Sequence, residues 1–308
     1  MFDEIFYEMI KIAIASGKGG TGKTFVATNI FHTLIKNQTD AILVDCDAEA
    51  PNAVAFFKTG QTKAIEVTQL VPVIDTSACT FCGKCHDYCV YNAIFILPPA
   101  KIIQVMDDLC HGCGACSVAC RYDAITEKSV SLGKVNLYSD NGRPFIIEAR
   151  MNIGVMSPVS VIKAAIKQIN RETEIAILDS PPGTSCPFIQ TVALADYVLL
   201  VTEPTPFGLS DLKQSVDTLR TMNKPLGVII NRAGMGDDRV REYLQNENIP
   251  LLLEIPFRKA IAELYATGKI VSETDTFFQS QMLTIVKKII EQNGDLSLIH
   301  ISEPTRPY

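Results

Sequence analysis

Short apolar runs alternate with amphipathic stretches along most of the chain. Buried strands are predicted where apolar residues occur together, at residues 10–15, 41–44, 175–178, 197–202, 226–230 and 251–255. Helices are predicted where apolar residues recur with helical spacing, at residues 24–36, 157–169, 208–222, 237–246, 258–267 and 280–291. This alternation predicts an α/β fold, with a mainly parallel sheet covered by helices on both faces.

The hydrophobic pattern changes in the middle of the chain, where a cysteine-rich stretch begins. Residues 62–72 before it and 130–150 after it alternate between apolar and polar positions, and residues 139–142 have the composition of a hairpin turn. We therefore predict a small domain inserted into the α/β domain. The predicted units are a discontinuous α/β domain at residues 1–72 and 129–295, the inserted domain at residues 73–128, and a non-native tail at residues 296–308.

Composition and charge narrow the possible functions. With 308 residues, 47% of them hydrophobic, the chain is long enough for one large and one small domain. The net charge of -6 and an isoelectric point near 5.3 argue against a broad nucleic-acid-binding face. No apolar run approaches the roughly 18 residues of a membrane span, and the N-terminus has no signal-peptide pattern. We therefore expect a cytoplasmic protein, with the helix at residues 280–291 packed on the sheet rather than on a membrane.

A glycine-rich turn lies between the first predicted strand and the first predicted helix. From Gly17 to Thr24 it matches the pattern Gly-x-x-x-x-Gly-Lys-Thr, whose backbone N–H groups surround phosphate oxygens. Lys23 is expected to reach the β- and γ-phosphates, and the Thr24 hydroxyl to bind Mg²⁺. The alternative is a loop that only turns the chain, which the complete pattern in this context disfavours. The predicted nucleotide-binding residues of the turn are Gly17, Lys18, Gly19, Gly20, Thr21, Gly22, Lys23 and Thr24.

Three aspartates follow predicted strands, at the edge where open α/β sheets bind ligands. Asp45 and Asp47 come after residues 41–44, so one carboxylate can approach Mg²⁺ while the other points toward the γ-phosphate. Asp179 ends the strand at residues 175–178 and is expected to organise Mg²⁺ as a Walker B residue. The alternative for Asp45 and Asp47 is that they only cap a loop.

Lys18, together with Lys23, resembles the deviant Walker A motif of the MinD, ParA, Mrp and nitrogenase-iron-protein class of ATPases. The resemblance implies that ATP binds between the two subunits of a homodimer, with Lys18 reaching the partner's nucleotide. It also implies that Asp47 orients or activates the attacking water and that Asp45 supports Mg²⁺ through solvent. The catalytic residues predicted in this way are Lys18, Lys23 and Asp47.

Two further segments extend this resemblance. The segment from Ser180 to Cys186 resembles the second switch loop of the Mrp and nitrogenase-iron-protein branch, in which the Gly183 N–H would sense the γ-phosphate. Asn231 ends a predicted strand and by resemblance reads adenine, with Pro256 in a loop that flanks the base. The Lys-x-Asp that would favour guanine after this asparagine is absent.

Eight of the ten cysteines form two sets with the same spacing, Cys-x2-Cys-x2-Cys-x3-Cys, at residues 79–89 and 110–120. In a nucleotide-binding chain without an export signal, these sets indicate metal ligands rather than disulfides. Zinc is the alternative metal, but two matched sets fit cubane clusters better. His86 and His111 lie inside the sets and are expected at the surface.

The repeated spacing resembles a bacterial-type ferredoxin with two [4Fe–4S] clusters. The first three cysteines of each set would bind one cluster, and the fourth would bind the other. The implied ligands are Cys79, Cys82, Cys85 and Cys120 for cluster one, and Cys110, Cys113, Cys116 and Cys89 for cluster two. The sequence departs from the family where Val90 and Arg121 replace the proline that usually follows the fourth cysteine.

Phosphate chemistry and electron chemistry in one chain lead to three functional hypotheses. The leading one is an ATP- and Mg²⁺-dependent iron–sulfur protein whose nucleotide state controls electron transfer or the docking of a redox-partner protein. The second is an iron–sulfur carrier or assembly ATPase like Mrp, against which counts the absence of any cysteine after Cys186. The third is a positioning protein like MinD or ParA, which would need a membrane or DNA surface that the acidic chain does not offer.

Overall fold

The computed structural model describes residues 9–140 and 143–292, which form a large sheet, its covering helices and a small lobe. The strands are β1 (Ile10–Ala15), β2 (Ala41–Asp45), β3 (Gly60–Ile74), β4 (Ile94–Leu97), β5 (Ile102–Val105), β6 (Ile125–Asp140), β7 (Arg143–Met151), β8 (Ile175–Asp179), β9 (Tyr197–Thr202), β10 (Leu226–Ala233) and β11 (Leu251–Pro256). The helices are α1 (Lys23–Lys36), α2 (Lys84–Asp87), α3 (Ala115–Ala119), α4 (Val159–Ile166), α5 (Cys186–Ala193), α6 (Pro206–Thr221), α7 (Arg239–Asn246), α8 (Lys259–Ala266), α9 (Val271–Thr274) and α10 (Thr276–Gln292). The predicted tail at 296–308 and the turn residues 141–142 lie outside the described residues.

Nine strands of the described chain form one sheet, in the order β11-β10-β9-β1-β8-β2-β7-β6-β3. Neighbouring strands from β11 to β7 are parallel, whereas β6 runs antiparallel to both β7 and β3. The central strands β1, β2, β8 and β9 are apolar along nearly their whole length, so they are buried on both faces. The predicted α/β fold with a mostly parallel sheet is confirmed.

Helices cover both faces of the sheet. On one face, α4, α5, α6 and α7 pack on strand side chains such as Ala13 and Val44. On the other face, α1, α8, α9 and α10 pack on side chains such as Ile12 and Leu43. The amphipathic helix α10 buries Ile285 and its apolar neighbours there, so it packs on the protein as predicted. No helix of the described residues is long and apolar enough to cross a membrane.

Residues 75–124 form a small lobe, which we call the cysteine lobe. It lies at the end of a ribbon made by β3 and β6, whose last pair is Ile74 opposite Ile125. Inside the lobe, β4 and β5 form a two-stranded antiparallel sheet, and α2 packs against α3. The buried members of its small core are Cys85, Ile94 and Cys116.

The ribbon leaves the main sheet at a contact that we call the junction, between residues 131–133 of β6 and residues 150–152. Leu132 is an extra residue in β6, because the register between β3 and β6 shifts at this point. A Cβ at Gly133 would lie 2.3 Å from the Arg150 carbonyl oxygen. The close approach of β6 and β7 therefore requires glycine at this position.

Hydrogen bonds join the junction to both of its neighbours. The Asn152 backbone N–H donates to the Leu132 carbonyl oxygen at 2.9 Å, and its side-chain amide donates to Ser131 Oγ at 3.1 Å. The Met151 N–H donates to the Ala48 carbonyl oxygen at 3.0 Å. The junction therefore contacts the ribbon on one side and the loop after β2 on the other.

Candidate functional site

The glycine-rich turn lies between β1 and α1, at the carboxyl edge of the parallel strands. Gly20 and Gly22 have φ angles of 80° and 99°, in the left-handed region that glycine adopts without strain. A Cβ at Gly22 would come within 2.4 Å of the Asn231 side-chain nitrogen, so any larger residue would also displace that amide. Lys23 begins α1, which directs the helix N-terminus at the turn.

A cleft of about 540 Å³ opens beside this turn, a volume within the range of roughly 300–1,000 Å³ that is typical of ligand pockets. The predicted site residues that line the cleft are Gly19, Gly20, Gly22, Lys23, Thr24, Asp47, Asn231 and Pro256. Gly17, Lys18 and Thr21 line a separate small pocket against β9 and α6. A Cβ at Gly17 would lie 2.4 Å from the Asp211 carbonyl oxygen, so this half of the turn is packed tightly on α6.

Asp179 lies at the end of β8, next in the sheet to Asp45 at the end of β2. It is 1% exposed, and neither carboxylate oxygen has a hydrogen-bond partner among the described residues. Burial raises the pKa of Asp179 to about 7, and the nearby Thr24 hydroxyl and Lys23 ammonium oppose this shift. A buried carboxylate with two unpaired oxygens fits Mg²⁺, which prefers oxygen ligands.

Lys23 and Asp47 carry opposite charges, and both line the cleft. Burial lowers the pKa of Lys23, and the carboxylates of Asp179 and Asp47 oppose this shift. Burial raises the pKa of Asp47, and Lys23 opposes this shift. The cleft therefore combines a partly desolvated ammonium, suited to phosphate, with a carboxylate that can orient or deprotonate a water.

Asp45 does not line the cleft and instead holds the loop that follows β2. Its carboxylate accepts hydrogen bonds from the backbone N–H groups of Asp47 at 3.1 Å, Asn52 at 2.8 Å and Ala53 at 2.9 Å. Burial and the neighbouring Asp179 raise the pKa of Asp45 well above its usual range. Asp45 thus shapes the loop that carries Asp47, and its support of Mg²⁺ through solvent stays a prediction.

The predicted second switch loop, between β8 and α5, is bonded to the glycine-rich turn. Gly183 has a φ of 87°, and its N–H donates to the Ser16 carbonyl oxygen at 3.1 Å. The amide that is predicted to sense the γ-phosphate therefore has a partner in the turn. Pro182 lines the cleft beside it. A γ-phosphate would have to replace the Ser16 hydrogen bond in order to engage this amide.

The loops after β10 and β11 form the other end of the cleft. The Asn231 side-chain amide donates to the Thr21 carbonyl oxygen at 2.8 Å, which ties this end to the glycine-rich turn. Pro256 and Tyr265 also line this end. Sequence analysis missed Tyr265, on α8, and Arg232, which lines the cleft directly after Asn231. The strand-end position of Arg232 was the available signal for it.

Lys18 faces the end of β9 in its own chain. Its Nζ lies 3.7 Å from the Glu203 carboxylate, and Arg232 Nη1 lies 2.6 Å from the same carboxylate. Glu203 is 7% exposed. Two cations, one from the glycine-rich turn and one from the end of β10, therefore share a single buried carboxylate.

The two cysteine sets line two small cavities in the cysteine lobe. One cavity is lined by Cys79, Cys82, Cys85 and Cys120. The other is lined by Cys89, Cys110, Cys113 and Cys116. Each cavity takes three cysteines from one set and the fourth from the other, which is the grouping that the ferredoxin resemblance implies. All of these cysteines are free of disulfides.

Backbone amides bond to several of the cysteine sulfurs. The Phe81 N–H donates to Cys79 Sγ at 3.4 Å. The Ala93 N–H donates to Cys89 Sγ at 3.3 Å. Such bonds tune the sulfur ligands of iron–sulfur groups. The binding of two [4Fe–4S] clusters by these cysteines stays a prediction. No group of three or more His, Cys, Asp or Glu side chains in the described residues is arranged to hold a metal ion.

His86 and His111 are both exposed, as predicted. His86 Nδ1 lies 2.6 Å from the Ile94 carbonyl oxygen, which fixes its ring against the lobe. The His111 ring stacks on Tyr91 with a centroid distance of 3.8 Å, and both residues line the second cavity. The histidines therefore shape the lobe around the cysteines.

Comparison with known proteins agrees with this geometry. Residues 12–271 match the family model described as the CobQ/CobB/MinD/ParA nucleotide binding domain. An uncharacterized protein of Methanocaldococcus jannaschii is 34% identical over 270 residues, which cover 85% of this chain and 91% of the relative. An iron-sulfur cluster carrier protein of Pyrococcus furiosus is 23% identical over 304 residues, covering 92% and 86%. The solved structure of the septum site-determining protein MinD of Pyrococcus horikoshii, complexed with Mg-ADP, has a TM-score of 0.56 at 17% identity, covering 93% and 98%, and shares the fold.

Proposed function

The chain belongs to the CobQ/CobB/MinD/ParA nucleotide-binding family, and from this premise we propose that it is an ATP-hydrolysing iron–sulfur protein. In this proposal, its nucleotide state controls electron transfer through an inserted two-cluster ferredoxin domain, or the docking of a redox-partner protein. One observation carries the proposal. A nucleotide-sized cleft and two four-cysteine cavities belong to one chain, and the ribbon that bears the cavities continues the sheet that bears the cleft.

Residues in and beside the cleft have separate tasks in the proposed hydrolysis of ATP to ADP and phosphate. The amides of the glycine-rich turn and the Lys23 ammonium hold the phosphates. Thr24 and Asp179 would hold Mg²⁺, which screens the negative charge of the phosphates when bound. Asp47 orients the water that attacks the γ-phosphate. Asp45 keeps the Asp47 loop in place through its three backbone hydrogen bonds.

The proposed active form has a second copy of the chain across the nucleotide. The Lys18 side chain is 33% exposed and lies outside the cleft of its own chain, so a partner's nucleotide can reach it. Apolar side chains are exposed at the same edge of the sheet, among them Phe207 at the start of α6 and Met235 after β10. Exposed apolar groups around a binding site support an interface there.

The junction supports the proposed coupling, because it bonds to both regions. The loop after β2 reaches it through the hydrogen bond from Met151 to Ala48. The ribbon reaches it through Asn152. Where the ribbon begins, one pair beyond the junction, the Gln69 side-chain amide donates to the Cys110 carbonyl oxygen at 2.9 Å. A rearrangement of the loop after β2 can therefore be passed along bonded backbone to the second cysteine cavity.

The coupling is tested by measuring ATP affinity and cluster state on the same anaerobically purified protein. Iron counting and EPR after reduction should find two clusters per chain. Because coupling between two sites is reciprocal, ATP affinity measured by calorimetry should differ about fivefold or more between oxidised and reduced protein. Equal affinity in the two states would reject the coupling.

A second function, delivery of iron–sulfur clusters to other proteins, is favoured by the relatives named iron-sulfur cluster carrier proteins. The absence of any cysteine after Cys186 disfavours it, since Mrp-type scaffolds hold a labile cluster on cysteines of their C-terminal half. Incubation of the holoprotein with an apo-ferredoxin and ATP separates the two functions. A carrier loses iron to the acceptor, whereas an electron-transfer protein keeps its iron through many turnovers.

A further inference from the structure

Glu203, directly after β9, binds two cations at unequal distances. Arg232 donates a hydrogen bond to Oε1 at 2.6 Å, whereas Lys18 lies 3.7 Å from Oε2, beyond hydrogen-bond distance. We propose that Glu203 is a positioning residue, which holds Lys18 in its own subunit until a nucleotide-bearing partner subunit takes it. This inference rests on the proposed role of Lys18 across a homodimer.

The burial of Glu203 makes Arg232 necessary for this release. The Glu203 side chain is 10% exposed, and a buried carboxylate that loses its only cation is strongly destabilised. Arg232 keeps the carboxylate paired when Lys18 leaves, so the departure of Lys18 leaves no unpaired buried charge. Arg232 is itself held in place, because its backbone N–H donates to the Asn231 side-chain oxygen at 2.9 Å.

Lys18 is suited to move while its backbone stays fixed. The Ser16 hydroxyl donates to the Lys18 carbonyl oxygen at 2.5 Å, and Gly17 packs against the Asp211 backbone. The Lys18 side chain, in contrast, is one-third exposed and loosely paired. Its four-carbon stem lets the ammonium swing away from Glu203 toward a partner without any change in the glycine-rich turn.

Three variants test this proposal by changing dimer formation: one is expected to favour the dimer, one to weaken it, and the combination of the two changes to restore it. Glu203→Gln frees Lys18 and should lower the dimer dissociation constant roughly two- to fivefold, the effect of removing one loose ion pair. Arg232→Ala leaves Lys18 as the partner of the buried carboxylate, and should raise the dissociation constant about tenfold. Adding Glu203→Gln to Arg232→Ala should restore dimer formation at least to the wild-type level, because the charge that retains Lys18 is then gone.

Sedimentation velocity on the full-length protein with a non-hydrolysable ATP analogue measures these dissociation constants. Lys18→Ala reports whether the lysine acts across the dimer. Glu254→Gln is the matched control, since Glu254 pairs with Arg241 at the end of β11, away from the turn, and it should leave the dissociation constant unchanged. Thermal unfolding verifies that each variant folds. Analogue affinity of the separated monomers is measured as well, because Arg232 also lines the cleft.

The outcomes separate this inference from the proposed function. If wild-type protein does not dimerise with the analogue, or if Lys18→Ala dimerises like wild type, the homodimer role fails and this inference falls with it. If Lys18→Ala blocks dimerisation but Glu203→Gln matches wild type and does not rescue Arg232→Ala, only the role of Glu203 is overturned. Rescue of dimerisation in the double variant supports the role of Glu203. If analogue affinity stays reduced in that variant, the rescue does not come from restored nucleotide binding.

Discussion

The nucleotide cleft and the cysteine lobe are built by opposite means. The cleft takes Lys23 from the start of α1, Asp47 from the loop after β2 and Asn231 from β10, and two extensive apolar layers on the sheet hold these elements in place. The lobe takes all of its candidate ligands from residues 79–120 and has a core of few buried side chains. The comparison teaches that the sheet sets the shape of the cleft before any ligand binds. The lobe has too small a core for this, so we expect its stability to depend on the clusters proposed for its cysteines.

The largest expected effect comes from Lys23→Ala. This variant tests whether damage to the cleft leaves the cysteine lobe intact. This change removes the buried ammonium that would meet the phosphates, so we expect ATP binding by calorimetry to be lost while iron content stays the same. Asp47→Ala is the matched variant, which should keep ATP binding but lower the hydrolysis rate about 10²-fold or more. Normal ATP binding by Lys23→Ala would contradict the phosphate site.

Cys82→Ser tests whether damage to the cysteine lobe leaves the nucleotide cleft intact. One of the two four-cysteine cavities loses a ligand, so iron content per chain should fall by about half. The cleft should be undisturbed, with ATP affinity of the oxidised protein unchanged within about twofold. Cys186→Ser, which removes an exposed thiol outside the lobe, is the control and should keep all of the iron. Undiminished iron in Cys82→Ser would refute the ligand assignment.

Asn152→Ala tests whether the two regions communicate through the junction. It removes both side-chain hydrogen bonds to Ser131, one to Oγ and one to the carbonyl oxygen, but leaves the hydrogen bonds between backbone groups. ATP affinity and iron content should each stay near wild type, while the difference in ATP affinity between oxidised and reduced protein should shrink by about half or more. Asn170→Ala, in a surface turn with Glu172, is the control. Wild-type coupling in Asn152→Ala would exclude this route.

The smallest expected effect is on the pH dependence of stability without nucleotide or Mg²⁺. Because burial raises the pKa of Asp179 from 3.8 to about 7, the folded protein keeps a proton that the unfolded chain has lost. The free energy of unfolding should therefore fall as pH rises through this window and level off above it. Urea denaturation should show a shallower fall for Asp179→Asn. If the free energy of unfolding falls as steeply in Asp179→Asn as in wild type, the pH dependence belongs to Asp45, whose pKa is also raised.

The sheet was predictable from the sequence because its strands are apolar along their length and its longer helices keep a regular period. The helix α5 was not predicted, and neither was α9, which is a single turn and too short to show a period. The length of the ribbon was underestimated for a different reason. Its exposed outer part alternates weakly, so only the pairing of β3 with β6 reveals that both strands run from the main sheet to the lobe.

Within the site, residues that carry a local motif were predictable and those brought together by long-range folding were not. Lys23 follows from the glycine-rich pattern, and it lines the cleft; its contact with phosphate stays a prediction. Glu203 and Arg232 are far apart in sequence and belong to no motif, so their contact with Lys18 appears only in the structure. The hydrogen bonds from three backbone N–H groups to the Asp45 carboxylate likewise depend on how the loop after β2 folds.

The pairing of Ile74 with Ile125 has a consequence for how such a chain can be modified. The two ends of the cysteine lobe meet as direct neighbours on antiparallel strands, so the chain enters and leaves the lobe at the same point. Excising residues 75–124 and closing the gap with a two-residue hairpin turn would leave the hydrogen bonds of the main sheet intact. We expect the same point of attachment to accept an unrelated small module, so the ribbon is a candidate graft site on a nucleotide-binding scaffold.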